Sequence, residues 1–196
     1  YSLGESSYKQ VAATYKVMNV EFDDAVNGAG LVKISDEWKS HPQDYKLIAF
    51  TFDDGPTSVD GSNLENKQNK IINTLNKYAG AGTMFIIGNK VTKYGIGQLQ
   101  YAVDHGFEIA SHTMNHKKIS SAFLEANPDY TAQTYIDEEI KPLNDLIKQE
   151  MDYDIKYLRA AEGVITDPVL EAAIQAQMPL VRGNVDINGN TVYISD

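Results

Sequence analysis

The chain predicts an α/β protein built on a parallel sheet, and three observations carry that expectation. From Leu47 onward, short apolar runs alternate with amphipathic stretches of helical spacing, the strand-then-helix rhythm of crossover-connected parallel strands. Gly, Pro, Asn and Asp punctuate the joins between those segments, as turns require. With 196 residues and 42% hydrophobic content, the chain is long enough to bury one substantial core and is expected to form one domain rather than two.

Residues 1–45 are polar and aromatic, with a candidate strand over Tyr15–Phe22, a Gly-rich turn at Asn27–Gly30 and a short strand Leu31–Ile34. They read as an N-terminal extension packed on a domain formed by residues 46–196. That domain opens with a strand over Lys46–Phe52, apolar enough to be buried on both faces and stopped by Gly55-Pro56. A helix over about Glu65–Tyr78, a strand Thr83–Ile87, a helix over about Ile96–His105 and a strand Phe107–Ser111 continue the rhythm. A long amphipathic helix is expected over Ala132–Met151, where Tyr135, Ile136, Ile140, Leu143, Leu146 and Ile147 recur at helical spacing. Then come a strand at Tyr157–Arg159, a helix near Pro168–Gln177, a strand Leu180–Ile187 and a candidate final strand Thr191–Ile194. Such units close either into an open doubly wound sheet or into a barrel. The Gly-rich phosphate loop of the first is missing, and the second places every motif at one rim.

Charge narrows the partners. A formal net charge of −10, with Lys and Arg scattered, disfavours nucleic acid and anionic membranes. No run of eighteen or more apolar residues is present to span a bilayer, and the first residues lack the layout of a signal peptide. The absence of cysteine removes disulfides and thiolate metal sites together. The acidity, the twelve tyrosines and the missing cysteine fit an exported bacterial protein, secreted or held at the cell envelope.

Two segments carry chemistry. Residues 51–56 read Thr-Phe-Asp-Asp-Gly-Pro and residues 111–116 read Ser-His-Thr-Met-Asn-His, each directly after an expected strand. Taken singly, adjacent aspartates are ordinary turn caps and a His-x-x-x-His pair is an ordinary pair of loop residues. Placed together at carboxyl ends of parallel strands, Asp54, His112 and His116 form a nitrogen-and-oxygen set suited to Zn²⁺ or a similar divalent ion. Two carboxylates beside one cation divide their roles, so with Asp54 on the ion, Asp53 is free to act as a base toward water. His41 and His105 receive no role, the latter because a histidine at a helix end meets the terminal carbonyls. Trp38 and the tyrosines carry no assigned sugar contact.

On these residues the chain resembles the polysaccharide deacetylases of carbohydrate esterase family 4, which share the nodulation-type chitooligosaccharide deacetylase domain, over about Leu47 to Asp186. Residues 51–56 match the first family motif at every position, and His112 to His116 match the second, His-Ser/Thr-x-x-His. The resemblance implies a distorted (β/α) barrel, here expected to be incomplete at its C-terminus, and a divalent metal: Zn first, with Co, Ni or Mn as substitutes. It also implies hydrolysis of acetyl groups on acetylated polysaccharides or oligosaccharides, with Asp53 as base and Asp54, His112 and His116 as ligands. Arg159-Ala160-Ala161-Glu162-Gly163 keeps the Arg and Gly of the third motif, Arg-x-Pro-Phe/Tyr-Gly, without its proline and aromatic; Arg159 is then the cation that orients the base. Asp186 stands for the fourth motif, without its tryptophan, and the fifth, a Leu-x-His that supplies a general acid, has no counterpart. Three readings therefore stand side by side: a working deacetylase, a fold-retaining module that binds metal and carbohydrate with little turnover, and a truncated enzyme whose general-acid histidine is supplied by a missing C-terminal piece or a second subunit.

Overall fold

A computed structural model of the chain describes residues 49–57, 67–78 and 80–182. Its centre is a parallel sheet of β1 (Thr51–Gly55), β2 (Thr83–Ile86) and β3 (Glu108–Ser111), in that spatial order. Single parallel bridges extend it, Ser111 to Leu158 and Leu158 to Leu180, so that five strand positions follow one another in space as they do in sequence. A doubly wound sheet reverses its order at a switch point; this one does not, and it runs in the manner of a (β/α) barrel.

Alternation along the strands sorts two cores. Met84, Ile86 and Ile109 face the helical layer and pack with Ile72, Leu99, Leu143 and Ile147. Phe85 and Ala110 face the other way, with Val181 and the half-buried Tyr157, in a small inner cluster. The helical layer is α1 (Lys67–Lys77), α2 (Lys93–Asp104), α3 (Ser121–Ala126), α4 (Ala132–Tyr135), α5 (Lys141–Met151) and α6 (Asp167–Gln175).

The structure moves several expected boundaries. The helix expected from Ile96 begins at Lys93, because the Thr92 hydroxyl accepts the Gly95 N–H at 3.2 Å and caps it. The helix expected unbroken over Ala132–Met151 is interrupted: residues Ile136–Ile140 form a wide π turn in which the Lys141 N–H reaches back five residues to the Ile136 carbonyl. Pro142, just beyond, has no N–H to give the preceding turn. Short α3 was not expected; none of its side chains is fully buried, so it leaves a faint apolar pattern. The Tyr157–Arg159 strand is a single bridge at Leu158, and the Leu180–Ile187 strand begins with a bridge at Leu180. The extension over residues 1–45, the strand residues 183–187, Asp186 and Thr191–Ile194 lie outside the described residues.

Among the described residues, no helix is long and apolar enough to cross a membrane.

Candidate metal centre

β1 pairs with β2 at Thr51–Thr83 and Phe52–Met84, then slips by one residue to pair Gly55 with Ile86. That bulge holds both aspartates. They stand inside the end of the strand rather than in the loop beyond it, and Asp54 takes a left-handed backbone, φ 65°. The Lys90 ammonium donates to the Asp54 carbonyl at 3.1 Å and the Ile87 N–H to the Gly55 carbonyl at 2.8 Å, pinning the bulge from the β2 side.

His112 follows β3 directly and is buried. Its N–H donates to the Ile86 carbonyl at 2.8 Å, and its Nδ1 lies 2.9 Å from the Arg159 carbonyl. A carbonyl only accepts, so Nδ1 carries the proton and Nε2 presents its lone pair to the aspartates. Burial, foremost, lowers the His112 pKa and favours that neutral form. His116 comes round on a loop in which Thr113 and His116 are both left-handed, φ 70° and 55°. The Thr113 N–H donates to the Ser111 hydroxyl at 3.1 Å, and the His116 N–H to the Thr113 hydroxyl at 2.9 Å.

These elements bring three donors together. The His112 and His116 Nε2 atoms lie 3.8 and 3.6 Å from Asp54 Oδ1, and one ligand atom from each residue fits within 4.8 Å of the others. Ligands about 2 Å from a zinc ion stand roughly 3–3.5 Å apart in tetrahedral geometry, so this spacing needs little adjustment to hold such an ion. The donor set itself, two imidazole nitrogens and a carboxylate, suits Zn²⁺ and its neighbours and leaves a coordination position open.

Beside these candidate ligands, Asp53 Oδ1 accepts from Arg159 Nη1 at 2.6 Å, while its Oδ2 lies 4.0 Å from His112 Nε2. Arg159 is buried across the inner face of the sheet. Its Nη1 also donates to the Thr51 hydroxyl at 3.1 Å, its Nε donates to the Val181 carbonyl at 3.1 Å, and its guanidinium lies 4.0 Å from the centre of the Phe85 ring. One arginine from the fourth strand position thus braces a carboxylate on the first, and Asp53, Asp54, His112, His116 and Arg159 share one rim.

Where the third family motif has its aromatic, Glu162 takes a left-handed backbone, φ 52°, and pairs with Lys118 at 2.6 Å. The hydrogen bond from Lys118 is the foremost cause of its lowered pKa. That part of the rim is an ion pair instead of an apolar wall. His105 is the helix-end residue its sequence position suggests, with Nδ1 2.7 Å from the Tyr101 carbonyl. Reading the sequence alone missed Lys90, Asn115 and Gly88. A methyl group on Gly88 would overlap the Met114 side chain of the histidine loop, and a lone glycine after a short strand was the available signal.

Residues 40–181 match the family model described as polysaccharide deacetylase. The chain is 26% identical over 149 residues to a bifunctional xylanase/deacetylase of Pseudobutyrivibrio xylanivorans, covering 74% of this chain and 21% of that protein. It is 27% identical over 144 residues to a peptidoglycan-N-acetylmuramic acid deacetylase of Bacillus subtilis, covering 72% of this chain and 26% of the relative. The chain therefore spans only about a fifth to a quarter of the length of these curated relatives. A solved structure of the Bacillus subtilis peptidoglycan deacetylase superposes with a TM-score of 0.55 at 26% identity, covering 71% of this chain and 59% of that one. A pseudoenzyme of carbohydrate esterase family 4 from Bacillus anthracis shares the fold with a TM-score of 0.56 at 18% identity, over 70% of this chain and 43% of the other.

Proposed function

Since the chain belongs to the polysaccharide deacetylase family, we propose that it is a metal-dependent carbohydrate deacetylase, a hydrolase that removes N-acetyl or O-acetyl groups from a polysaccharide such as peptidoglycan, chitin oligomers or xylan. The observation that carries this reading is the convergence of Asp54, His112 and His116 beside an Asp53 carboxylate already gripped by Arg159. Asp54, His112 and His116 would hold the divalent ion, Zn²⁺ first. What a bound ion supplies there is Lewis acidity, which makes water a better proton donor and an acetyl carbonyl a better electrophile.

The remaining roles belong to the chain. Asp53 offers its Oδ2 to take a proton from the attacking water, because Oδ1 is engaged by Arg159. Arg159, locked between Thr51, Val181 and Phe85, keeps that carboxylate from swinging toward the ligands. The His112 Nδ1 proton, committed to the Arg159 carbonyl, fixes the tautomer that leaves Nε2 as donor. Residues 117–196 hold no histidine, so an acid for a leaving amine would come from outside that stretch. An alkoxide leaves with less help than an amine, which keeps acetyl esters beside N-acetyl groups as substrates.

The second reading, a module that binds metal and carbohydrate with little turnover, draws on Glu162 and Ala161 in place of the motif's aromatic and proline. The test is acetate release from N-acetylchitooligosaccharides and acetylated xylan, with the metal content assayed and Zn²⁺ or Co²⁺ restored after chelation. Release that chelation abolishes, and that Asp53→Asn lowers by roughly 10²–10⁴ while metal is retained, is the expected result. Bound metal without release from either substrate would favour the second reading or an enzyme that lacks its acid-bearing piece.

A further inference from the structure

We propose that Glu139 is a positioning residue of the metal centre: from the wide π turn it grips Asn115, between His112 and His116, and so sets the spacing and aim of the two imidazoles. The proposal rests on the reading of Asp54, His112 and His116 as ligands. Glu139 is 1% exposed, a carboxylate in the core. Burying such a group is costly unless it is well bonded, and among the described residues no Lys or Arg pairs with it.

Its partners all lie on the histidine loop. Oε2 accepts the Asn115 backbone N–H at 2.9 Å and Oε1 accepts the Asn115 side-chain amide at 3.1 Å. The Glu139 carbonyl accepts the Met114 N–H at 2.8 Å. A fourth bond runs from the Asn115 amide to the Glu138 carbonyl at 3.4 Å. That carbonyl is available because the residue four positions on is Pro142, which has no N–H to donate. The π turn adds one residue to the helix, and one residue is about 100° of rotation. With it, Glu139 and Ile140 are both buried, although they are adjacent in sequence.

The opposite side of the loop is held by backbone alone. The Gly88 N–H donates to the Thr113 carbonyl at 3.1 Å and the Asn89 N–H to the Met114 carbonyl at 2.8 Å. Left-handed Thr113 and His116 each cost roughly 1–3 kcal/mol, and such a conformation persists only where its surroundings over-determine it. Glu139 completes that clamp. Without it the loop can relax toward ordinary backbone angles, carrying His116 away from Asp54.

Three quantities test this on the full chain: Zn²⁺ affinity by competition with a chromophoric chelator, the absorption spectrum of the Co²⁺-loaded protein, and the melting of the metal-free protein. Glu139→Gln, which turns a donor toward the Asn115 donors, is expected to weaken Zn²⁺ binding about 10–100-fold and to change the Co²⁺ spectrum. Asn115→Ala, which leaves the core intact, is expected to act in the same direction and covers the case in which Glu139→Gln does not fold. The double variant Glu139→Gln with Asn115→Asp exchanges donor and acceptor across the same contact and should recover part of the affinity. Parent-like Zn²⁺ affinity and Co²⁺ spectrum in Asn115→Ala and in any folded Glu139→Gln would overturn the role of Glu139 alone. A parent chain that binds Zn²⁺ no better than His112→Ala would overturn the ligand reading, and this inference with it.

Discussion

The two ends of the sheet use the same unusual backbone for different purposes. At the foot, where helices hand over to strands, Gly106, Asp152 and Gln177 are left-handed, φ 80°, 49° and 54°, each just after a helix. At the rim, where strands hand over to helices, Asp54, Thr113, His116, Glu162 and Gly163 are left-handed, φ 65°, 70°, 55°, 52° and 69°. The foot residues are caps: after α6 the Gln177 N–H donates to the Ile174 carbonyl at 3.0 Å and the Met178 N–H to the Ala173 carbonyl at 2.9 Å, closing that helix through the backbone, and of the three only Asp152 adds an ion pair, with Lys148 at 2.8 Å. At the rim each of these four non-glycine residues has a side chain in use, as candidate ligand, hydroxyl acceptor or ion-pair partner, and only Gly163 has none. A conformation that glycine adopts without strain, and does adopt at Gly163, is occupied at the other four rim positions by residues whose side chains are in use, so the strain there is the cost of keeping those side chains.

Replacing rim and foot residues by glycine breaks the comparison apart. His116→Gly relaxes the backbone but removes an imidazole; Zn²⁺ affinity should fall at least about a hundredfold, measured by chelator competition, with the metal-free protein still folded. Thr113→Gly relaxes the neighbouring strain and deletes the hydroxyl that accepts the His116 N–H. Its Zn²⁺ affinity should drop about tenfold, a smaller loss because the ligand itself remains. At the foot, Gln177→Gly loses nothing specific and should raise stability by about 0.5–1 kcal/mol in chemical denaturation, the left-handed penalty less the added chain entropy.

The smallest effect sharpens the contrast through pH. Glu108, at the foot of β3, accepts from the Thr83 hydroxyl at 3.2 Å, and burial is the foremost cause of its raised pKa. A carboxyl raised in the fold binds its proton more tightly folded than unfolded. Its relative stabilisation is present below the unfolded value near 4.5 and is lost as pH rises through the folded value. Glu108→Gln, which keeps an acceptor for Thr83, should therefore be slightly more stable than the parent at neutral pH. The difference should shrink as pH falls below that range, as read from melting curves.

Much of the rim was legible because its chemistry is local in sequence. Asp53-Asp54 and His112 to His116 each fall in one short segment behind an apolar run, and a strand end needs no distant contact to be recognised. The bulge was not legible: it arises from the pairing of β1 with β2, a relation between residues some thirty positions apart that periodicity within one segment does not carry. The interrupted helix was half legible. Its apolar spacing read as continuous, and Pro142 within it was the sign that one turn would change. Glu139 stands beside Asp137 and Glu138, a charged run with no local sign of burial, and the added residue of the π turn places both it and Ile140 inside.

The reach of Arg159 to Asp53 sets an order in time. These partners are 106 residues apart in the chain, whereas His112 lies within 60 residues of both aspartates. On a ribosome, both carboxylates and both imidazoles leave the exit tunnel well before the guanidinium does. A growing chain can thus gather its candidate ligands while Asp53 is still unbraced, and the arrangement of the whole rim is a late event of synthesis, completed after the fourth strand position has joined the sheet.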